Sequence, residues 1–331
     1  YIIKLDFHGD HRGGFVETFN EERYKILGLV HKFVQDNMSY SIHERVFRGL
    51  HFQKGEYSQG KLVSCSDGEV ADYIVDVRKG SPTYMKSERI VLSKDNQVQV
   101  YVPEGCLHGF EVLKAPVTFN YKVTRPYNQE ADGGVLCTDP AINLPLPDLD
   151  KMVLSEKDQK LPLLKDIELD YVYKPRCLVT GAITGQLGPE VVKELEKRGY
   201  RDIYALDKAI VDLTNEESVK DAISRFSPDI IFHCAAYTDV DGAQRNSDLA
   251  SKINVNGTKY IVEASKEIDA KVIYISTDYV FKGTDDGIYE TTSIPNPQSV
   301  YGKTKLEGER IVASYLKHFI VRTSWVFGGI N

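Results

Sequence analysis

Tyr301 and Lys305 carry the YxxxK spacing, one helical turn apart, and would share one helix face. An ammonium beside a phenol favours the phenolate, so such a pair would exchange a proton with a bound molecule near neutral pH. By itself the spacing is common, and its ordinary reading is a surface Tyr–Lys pair. Two further motifs raise its weight: Ser276-Thr277-Asp278 at a predicted strand end, and Thr180-Gly181-Ala182-Ile183-Thr184-Gly185-Gln186-Leu187-Gly188 upstream. Glycines between a strand and a helix let backbone approach a pyrophosphate, whose charge the helix N-terminus favours. Asp207 ends the next predicted strand nineteen residues after Gly188, where a carboxylate would hydrogen-bond a ribose hydroxyl. Dinucleotide binding accounts for all of these together; a plain tight turn accounts for the glycines alone. In the first half, His51 lies in Arg48-Gly49-Leu50-His51-Phe52-Gln53 and His108 in Pro103-Glu104-Gly105-Cys106-Leu107-His108-Gly109-Phe110. Gln53 stands where a metal-binding HxH pair needs its second histidine, so no metal site is expected.

The elements that must position these residues differ between the halves. In the first, Lys61–Ser64, Tyr73–Val77, Arg89–Leu92 and Val98–Val102 read as short strands rich in β-branched residues. Asp67-Gly68, Lys79-Gly80-Ser81-Pro82, Lys94-Asp95-Asn96 and Pro103-Glu104-Gly105 read as the turns between them. Many short, turn-separated strands predict a sandwich or jelly roll. The pattern changes near Pro145-Leu146-Pro147, and a short helical stretch follows around Ser155–Asp158. Beyond Lys174-Pro175, strands and helices alternate: strand Arg176–Val179, a helix that tolerates Pro189 in its first turn, strand Ile203–Leu206, helix Glu217–Phe226 and strand Asp229–His233. That rhythm predicts βαβ units and a parallel sheet. The chain is therefore expected to be multidomain: a β jelly roll over 1–170, then a doubly wound α/β Rossmann-type domain over 171–331.

Composition narrows the function classes. With 331 residues, 42% hydrophobic and 27% charged, the sequence is ordinary for globular protein and long enough for two cores. No run approaches the roughly eighteen apolar residues of a membrane span, and Tyr1-Ile2-Ile3-Lys4 reads as a strand start rather than a signal peptide. Net charge of −7 gives no reason to expect nucleic acid. Five scattered cysteines, never in CxxC, argue for a reducing cytoplasm rather than a disulfide framework.

Residues 176–331 resemble the extended short-chain dehydrogenase/reductases, most closely the dTDP-4-dehydrorhamnose reductases. The resemblance runs through Gly185-Gln186-Leu187-Gly188, Ala235-Ala236-Tyr237-Thr238-Asp239-Val240-Asp241, Asn254-Val255-Asn256-Gly257-Thr258, Ser276–Phe281 and Val321–Gly328. It implies that Thr277 hydrogen-bonds a substrate carbonyl, Tyr301 donates the proton and Lys305 holds the nicotinamide ribose of NADPH or NADH. It also implies cofactor contacts from Gly181, Gly185, Gln186, Leu187, Gly188, Asp207, Asp212, Leu213, Ala235, Ala236, Tyr237 and Asn254. The glycine turn, GxxxGxxG, is one residue longer than the family's usual GxxGxxG. The match ends where that family continues into most of its substrate-binding lobe, so the reductase domain is expected to be incomplete. Asp207-Lys208 leaves NADH and NADPH both open, because the aspartate suits a free 2′-hydroxyl and the lysine a phosphate.

Residues 5–165 resemble the cupin-type dTDP-4-dehydrorhamnose 3,5-epimerases. The shared pieces are Asp10–Glu17, Gln35-Asp36-Asn37, the His51 and His108 strands, Gln59–Val63, Gly68-Glu69-Val70, Gly80–Thr83 and Leu154–Asp158. The family implies His51 as the base, Asp158 as the partner that fixes its tautomer, Lys61 stabilising an enolate oxygen, and Tyr121 returning a proton from the opposite face. Arg12 and Arg48 are the implied diphosphate clamp, with Glu17, Gln35, Asn37, His108 and Tyr127 lining the sugar-nucleotide pocket. No cofactor is expected in this half, and family members form homodimers.

Together the resemblances imply a bifunctional enzyme that epimerises dTDP-4-dehydro-6-deoxyglucose at C3 and C5, then reduces C4 to give dTDP-L-rhamnose. Two readings compete: a pair acting on another nucleotide-deoxysugar, and a non-catalytic binding or regulatory reductase-like subunit. Against the second, His51, Asp158, Tyr121, Thr277, Tyr301 and Lys305 are all present.

Overall fold

A computed structural model describes residues 1–146, 149–283 and 288–327; Pro147 of the expected boundary and Gly328 of the last matched motif lie outside the described residues. The chain divides into two compact units. One contains Tyr1–Glu22 and His31–Tyr173, the other Arg23–Val30 and Lys174–Asn331. The change of unit at 173/174 lies well beyond Pro145-Leu146-Pro147 and just before the alternation of strands and helices that follows Lys174-Pro175, whereas the grouping of residues 23–30 carries no sequence signal.

The first unit is an antiparallel β structure. Its sheet runs Ile2–Lys4, Val98–Val102, Lys61–Asp76, Cys106–Val123, Phe47–Gln53, Asp132–Gly134, with Gln35–Ser41 added to Cys106–Val123 and Ser87–Ser93 to Lys61–Asp76. Two strands are far longer than predicted. Lys61–Asp76 and Cys106–Val123 pair along almost their whole length, and each serves both layers of the roll. Asp67-Gly68 is thus not a turn between strands. It is an irregularity inside one strand, where the pairing register slips three times between Cys65 and Val70. Gly68 sits there at φ +73°, and a Cβ would lie 2.2 Å from the Pro116 carbonyl oxygen, so only glycine lets the strand fold over.

Alternation along these strands sorts two cores. Val63, Val70, Val100, Phe110, Val112 and Phe119 point into the roll. Phe47, Ala71, Tyr73, Val75 and Leu107 point outward, under a cover made by Val135, Ile142, Leu144, Leu169 and Tyr171. At the end of Lys61–Asp76, the Asp76 carboxylate takes hydrogen bonds from Arg78 Nε (2.9 Å), Arg78 Nη2 (2.7 Å), Ser81 Oγ (2.6 Å) and Thr83 Oγ1 (2.7 Å). The Gly80–Thr83 motif therefore pins a strand end. The helical stretch is Glu156–Gln159, capped by Ser155, whose side chain accepts from the Asp158 amide.

The second unit has an all-parallel sheet ordered Ile203–Leu206, Cys177–Thr180, Ile230–His233, Lys271–Thr277, His318–Thr323. Cys177–Thr180 is flanked by the two strands that follow it in the chain, Ile203–Leu206 and Ile230–His233, so the chain leaves to one side of it and crosses back to the other, which puts a switch point between it and Ile230–His233. Ligands bind at such switch points beyond the carboxyl ends of the strands. Helix Gly188–Lys197 has the expected proline in its first turn, and helix Glu216–Phe226, capped by Asn215, agrees with the sequence reading to within a residue. Helix Val300–Ala313 is capped by Ser299 and carries both Tyr301 and Lys305.

Candidate active sites

In the β unit, His51 and His108 are direct cross-strand partners and so share a face. His51 Nε2 lies 2.7 Å from Asp158 Oδ1, with the histidine side chain 31% exposed and the aspartate 6%. Burial acts to raise the Asp158 pKa, but the hydrogen bonds and charge of His51, the Ser155 hydroxyl and the Gly49 amide outweigh it and hold the carboxyl below its usual value. An ionised Asp158 accepts, so His51 Nε2 carries the hydrogen of this bond and Nδ1 is left as the basic nitrogen.

Beside this pair, His108 Nε2 lies 2.8 Å from Asp72 Oδ1, both side chains buried. The other Asp72 oxygen has no hydrogen-bond partner. It is balanced electrostatically by Lys61, whose pKa burial lowers to about 8 against the opposing pull of Asp72 and Asp132. The His108 ring stacks on Phe119 at 6.2 Å, and Phe119 adjoins Tyr121 at 6.3 Å. Burial raises the Tyr121 pKa, opposed by the Arg48 charge and supported by Asp132, so its phenol stays protonated at neutral pH. A base, an ammonium and a phenol thus gather on one interior face. That set suits removal of a proton beside a ketone, stabilisation of the oxyanion, and return of a proton.

In the parallel unit a cavity of about 700 Å³ opens at the switch point, lined by the glycine turn, Asp207, Ala235 and Ala236, Thr277, Tyr301 and Lys305 among others. Gly181 has φ +66°, and a Cβ on Gly185 would stand 2.3 Å from the Gly181 carbonyl oxygen, so the turn is a bare-backbone cradle. Its base is braced by a buried relay. The Ala235 amide donates to Thr180 Oγ1 (3.0 Å), which lies 3.0 Å from His233 Nδ1, while His233 Nε2 lies 3.1 Å from Thr258 Oγ1. Thr258 in turn donates to the Asn254 carbonyl (2.8 Å), which leaves it to accept from His233 Nε2 and fixes that tautomer. Burial first, then the Lys305 charge, pushes the His233 pKa down to about 3, so the ring is neutral.

The proton-transfer group of this unit departs from the sequence expectation in one respect. Lys305 Nζ donates to the Ile275 carbonyl (2.7 Å) and sits 4.0 Å above the Tyr274 ring. The Tyr301 pKa is raised by burial, with the Thr277 hydroxyl as the opposing hydrogen bond, and not lowered by the ammonium. Burial also brings Lys305 itself down to about 7, with Glu309 and Cys234 pulling upward. Tyr301 is therefore a neutral proton donor here. Two residues that the sequence did not single out hold this end of the sheet: Glu309 accepts from Ser276 Oγ (2.6 Å) and, bidentately, from Arg322 Nε (2.8 Å) and Nη2 (2.7 Å).

Comparison with known proteins decides the family. Residues 1–166 match the family model of dTDP-4-dehydrorhamnose 3,5-epimerase. The chain belongs to that family. Residues 175–331 match the RmlD substrate binding domain. A dTDP-4-dehydrorhamnose 3,5-epimerase of Sinorhizobium fredii is 45% identical over 172 residues, covering 52% of this chain and 88% of its own length. The crystal structure of dTDP-6-deoxy-D-glucose-3,5-epimerase from Legionella pneumophila, in complex with dTDP-4-keto-L-rhamnose, is 41% identical with a TM-score of 0.50, covering 52% of this chain and 93% of that one. A dTDP-4-dehydrorhamnose reductase of Aggregatibacter actinomycetemcomitans is 43% identical over 154 residues, covering 47% of this chain and 52% of its own length. The chain spans about half the length of the reductase relatives it matches. An epimerase domain and a reductase-family domain of the dTDP-rhamnose pathway are thus joined in one polypeptide.

Within the epimerase domain, the structure gathers His51, Asp158, His108, Lys61, Tyr121 and Arg48. Gln35, Asn37 and Tyr127 form a neighbouring group: Gln35 Nε2 donates to Asn37 Oδ1 (2.7 Å) and Gln35 Oε1 accepts from the Tyr127 amide (3.0 Å). Arg48 is exposed and donates to Ser41 Oγ (3.2 Å) and the Tyr40 carbonyl (3.1 Å). Arg12 is not drawn into this group. It sits in the turn of a separate two-stranded hairpin, 77% exposed, paired with Asp10. Glu17 accepts from Asn20 Nδ2 (3.3 Å). Two acids were missed. Asp72 faces inward in a β strand, an unusual place for a lone charge and the one signal available. Asp132 takes Lys157 Nζ (2.6 Å) and Tyr127 OH (3.4 Å). In the reductase-family domain, Gly181, Gly185, Gln186, Leu187, Asp207, Asp212, Leu213, Ala235, Ala236, Thr277, Tyr301 and Lys305 line the cavity. Gly188, Tyr237 and Asn254 are not among the lining residues. The buried Asn254 side chain accepts from the Tyr237 amide (2.8 Å) and donates to Thr304 Oγ1 (3.0 Å), bracing the wall from behind. No helix among the described residues is long and apolar enough to cross a membrane.

Proposed function

We propose that this chain inverts C3 and C5 of dTDP-4-dehydro-6-deoxyglucose in its first unit and, in its second, reduces the C4 ketone of the product with NADPH or NADH. The observation that carries the first step is the His51–Asp158 contact of 2.7 Å on the same interior face as Lys61 and Tyr121. His51 takes the proton from the carbon beside the ketone, and the imidazolium so formed is held by Asp158. Lys61 faces the developing enolate oxygen. Tyr121, kept protonated, returns a proton from the other side and inverts the centre. Arg48 supports a diphosphate, and Arg12 is assigned the same role on the strength of the family likeness.

For the second step, the bare-backbone cradle of Gly181 and Gly185, the carboxylate of Asp207 and the volume of the cavity fit a nicotinamide dinucleotide. When bound, the reduced nicotinamide supplies a hydride to the substrate carbonyl. Thr277 orients that carbonyl, Tyr301 gives the proton to its oxygen, and Lys305 meets the ribose.

The epimerase domain is proposed to pair with a second copy. Strand Gln35–Ser41 bonds to one neighbour among the described residues and exposes Met38, Tyr40 and, just beyond it, Ile42. A cytoplasmic location is proposed from five free cysteines, four of them buried.

The test is incubation with the keto-sugar nucleotide in deuterated water, followed by NMR, with and without each reduced cofactor. Deuterium at both C3 and C5, and reduced L-sugar only with cofactor, is expected. Wash-in at C3 alone would assign the first unit to a mono-epimerase, and wash-in with no reduction would leave the second unit without the proposed step.

A further inference from the structure

Thr184 stands between the glycines of the turn, and the structure gives it a partner on the next strand. Thr184, in the turn, donates to the same Asp207 oxygen twice, from its amide (3.0 Å) and its hydroxyl (2.7 Å). The other Asp207 oxygen accepts from the Lys208 amide. Asp207 is only 9% exposed, and Thr184, Asp207 and Lys208 all line the cavity. A carboxylate oxygen accepts about two hydrogen bonds in good geometry. One Asp207 oxygen is thus already filled by the turn itself, and the other keeps a single acceptor position.

We infer that Thr184 is a specificity-determining residue: by filling one of the two Asp207 oxygens, it weakens the hold on a ribose 2′-hydroxyl and with it the preference for NADH, and leaves Lys208 to meet a 2′-phosphate. An unshielded aspartate at this strand end favours the free hydroxyl and repels the phosphate. Here its charge is screened by three N–H and O–H donors, and the next side chain in sequence is cationic. The domain accordingly takes both dinucleotides, and the choice between them lies with a loop residue rather than with the aspartate. This inference rests on the reading of the second unit as a dinucleotide-binding domain.

Calorimetric titration of the full chain with NADH and NADPH, without substrate, separates the two. The native protein is expected to bind both with dissociation constants within about threefold. Thr184→Val keeps the shape and the amide but removes the hydroxyl, so one acceptor position on Asp207 is released. NADH binding should tighten about three- to tenfold, the worth of one hydrogen bond, with no gain for NADPH. Lys208→Ala should weaken NADPH about tenfold and leave NADH unchanged. A native preference for NADH above about thirtyfold, a Thr184→Val protein with an unaltered ratio, or an equal loss of both cofactors in that variant would each overturn the inference. Failure of the native chain to bind either dinucleotide would instead remove the domain reading on which it stands.

Discussion

Lys61 offers the sharpest quantitative test of the epimerase site. Its ammonium is held among the inward residues of the roll, and burial lowers its pKa from 10.5 to about 8. The sign is that of a base whose charged form is disfavoured by folding. Protonation therefore costs the folded state in full below about pH 8, and the cost fades as pH rises from there to the unfolded value of 10.5. The size of the shift corresponds to at most roughly 3 kcal/mol, an upper bound because the residue is only half-buried. Two consequences follow from one residue. Deuterium wash-in next to the ketone needs the charged amine, and the charged fraction falls from about nine-tenths at pH 7 to about one-tenth at pH 9. The exchange rate should therefore drop about tenfold across that interval, with a midpoint near 8. Lys61→Met should all but abolish exchange while raising the denaturation midpoint at pH 7, and this gain should vanish near pH 11. The assays are NMR-detected wash-in across the pH range and urea melts of both proteins. A direct lysine NMR titration that placed Lys61 above 10, or an exchange rate flat between pH 7 and 9, would refute the reasoning.

Other expectations are simpler. Asp158→Asn keeps the shape of the His51 partner but no longer selects its tautomer, so exchange should fall by about a hundredfold or more with thymidine diphosphate affinity unchanged by calorimetry. Asp76 has its pKa lowered to about 2 because its hydrogen bonds from Arg78, Ser81 and Thr83 outweigh a burial effect that acts the other way. Asp76→Ala should cost roughly 2 kcal/mol or more in urea melts at pH 6, and the gap from the native protein should close as pH falls from 4 towards 2. Glu309→Gln leaves the Arg322 guanidinium without its bidentate partner beside a buried serine. Roughly 3 kcal/mol should be lost from the second unit, seen as a lowered melting temperature, and Glu309→Asp should recover only part of it.

Much of this architecture is legible in the residues themselves. The βαβ rhythm after Lys174 follows from β-branched runs alternating with helical periodicity, and Pro189 marks a helix start through local chemistry alone. The short helical stretch around Ser155–Asp158, which delivers Asp158, is legible as well. What failed to show is non-local. Asp67-Gly68 looks like a turn because its residues tolerate unusual dihedrals, and a slipped register inside a bent strand asks for the same tolerance. Whether Lys305 charges Tyr301 depended on the position of the Ile275 carbonyl, thirty residues away in sequence, which competes for the ammonium. Arg322 and Glu309 come together only when strand and helix dock, so neither advertised the other. Thr184 shows its contact only where the next strand brings Asp207 alongside.

The two long strands carry a last implication. Lys61 and Asp72 ride on one, His108 and Tyr121 on the other, and the same ladder that builds the β core spaces all four. Such a centre has no private hinge. Denaturant should extinguish proton exchange and unzip the roll in a single transition, with amides along both strands among the slowest to exchange. Variation of what the enzyme accepts must then enter from the rim, through pieces such as the Arg12 hairpin, which can be redrawn without touching the ladder.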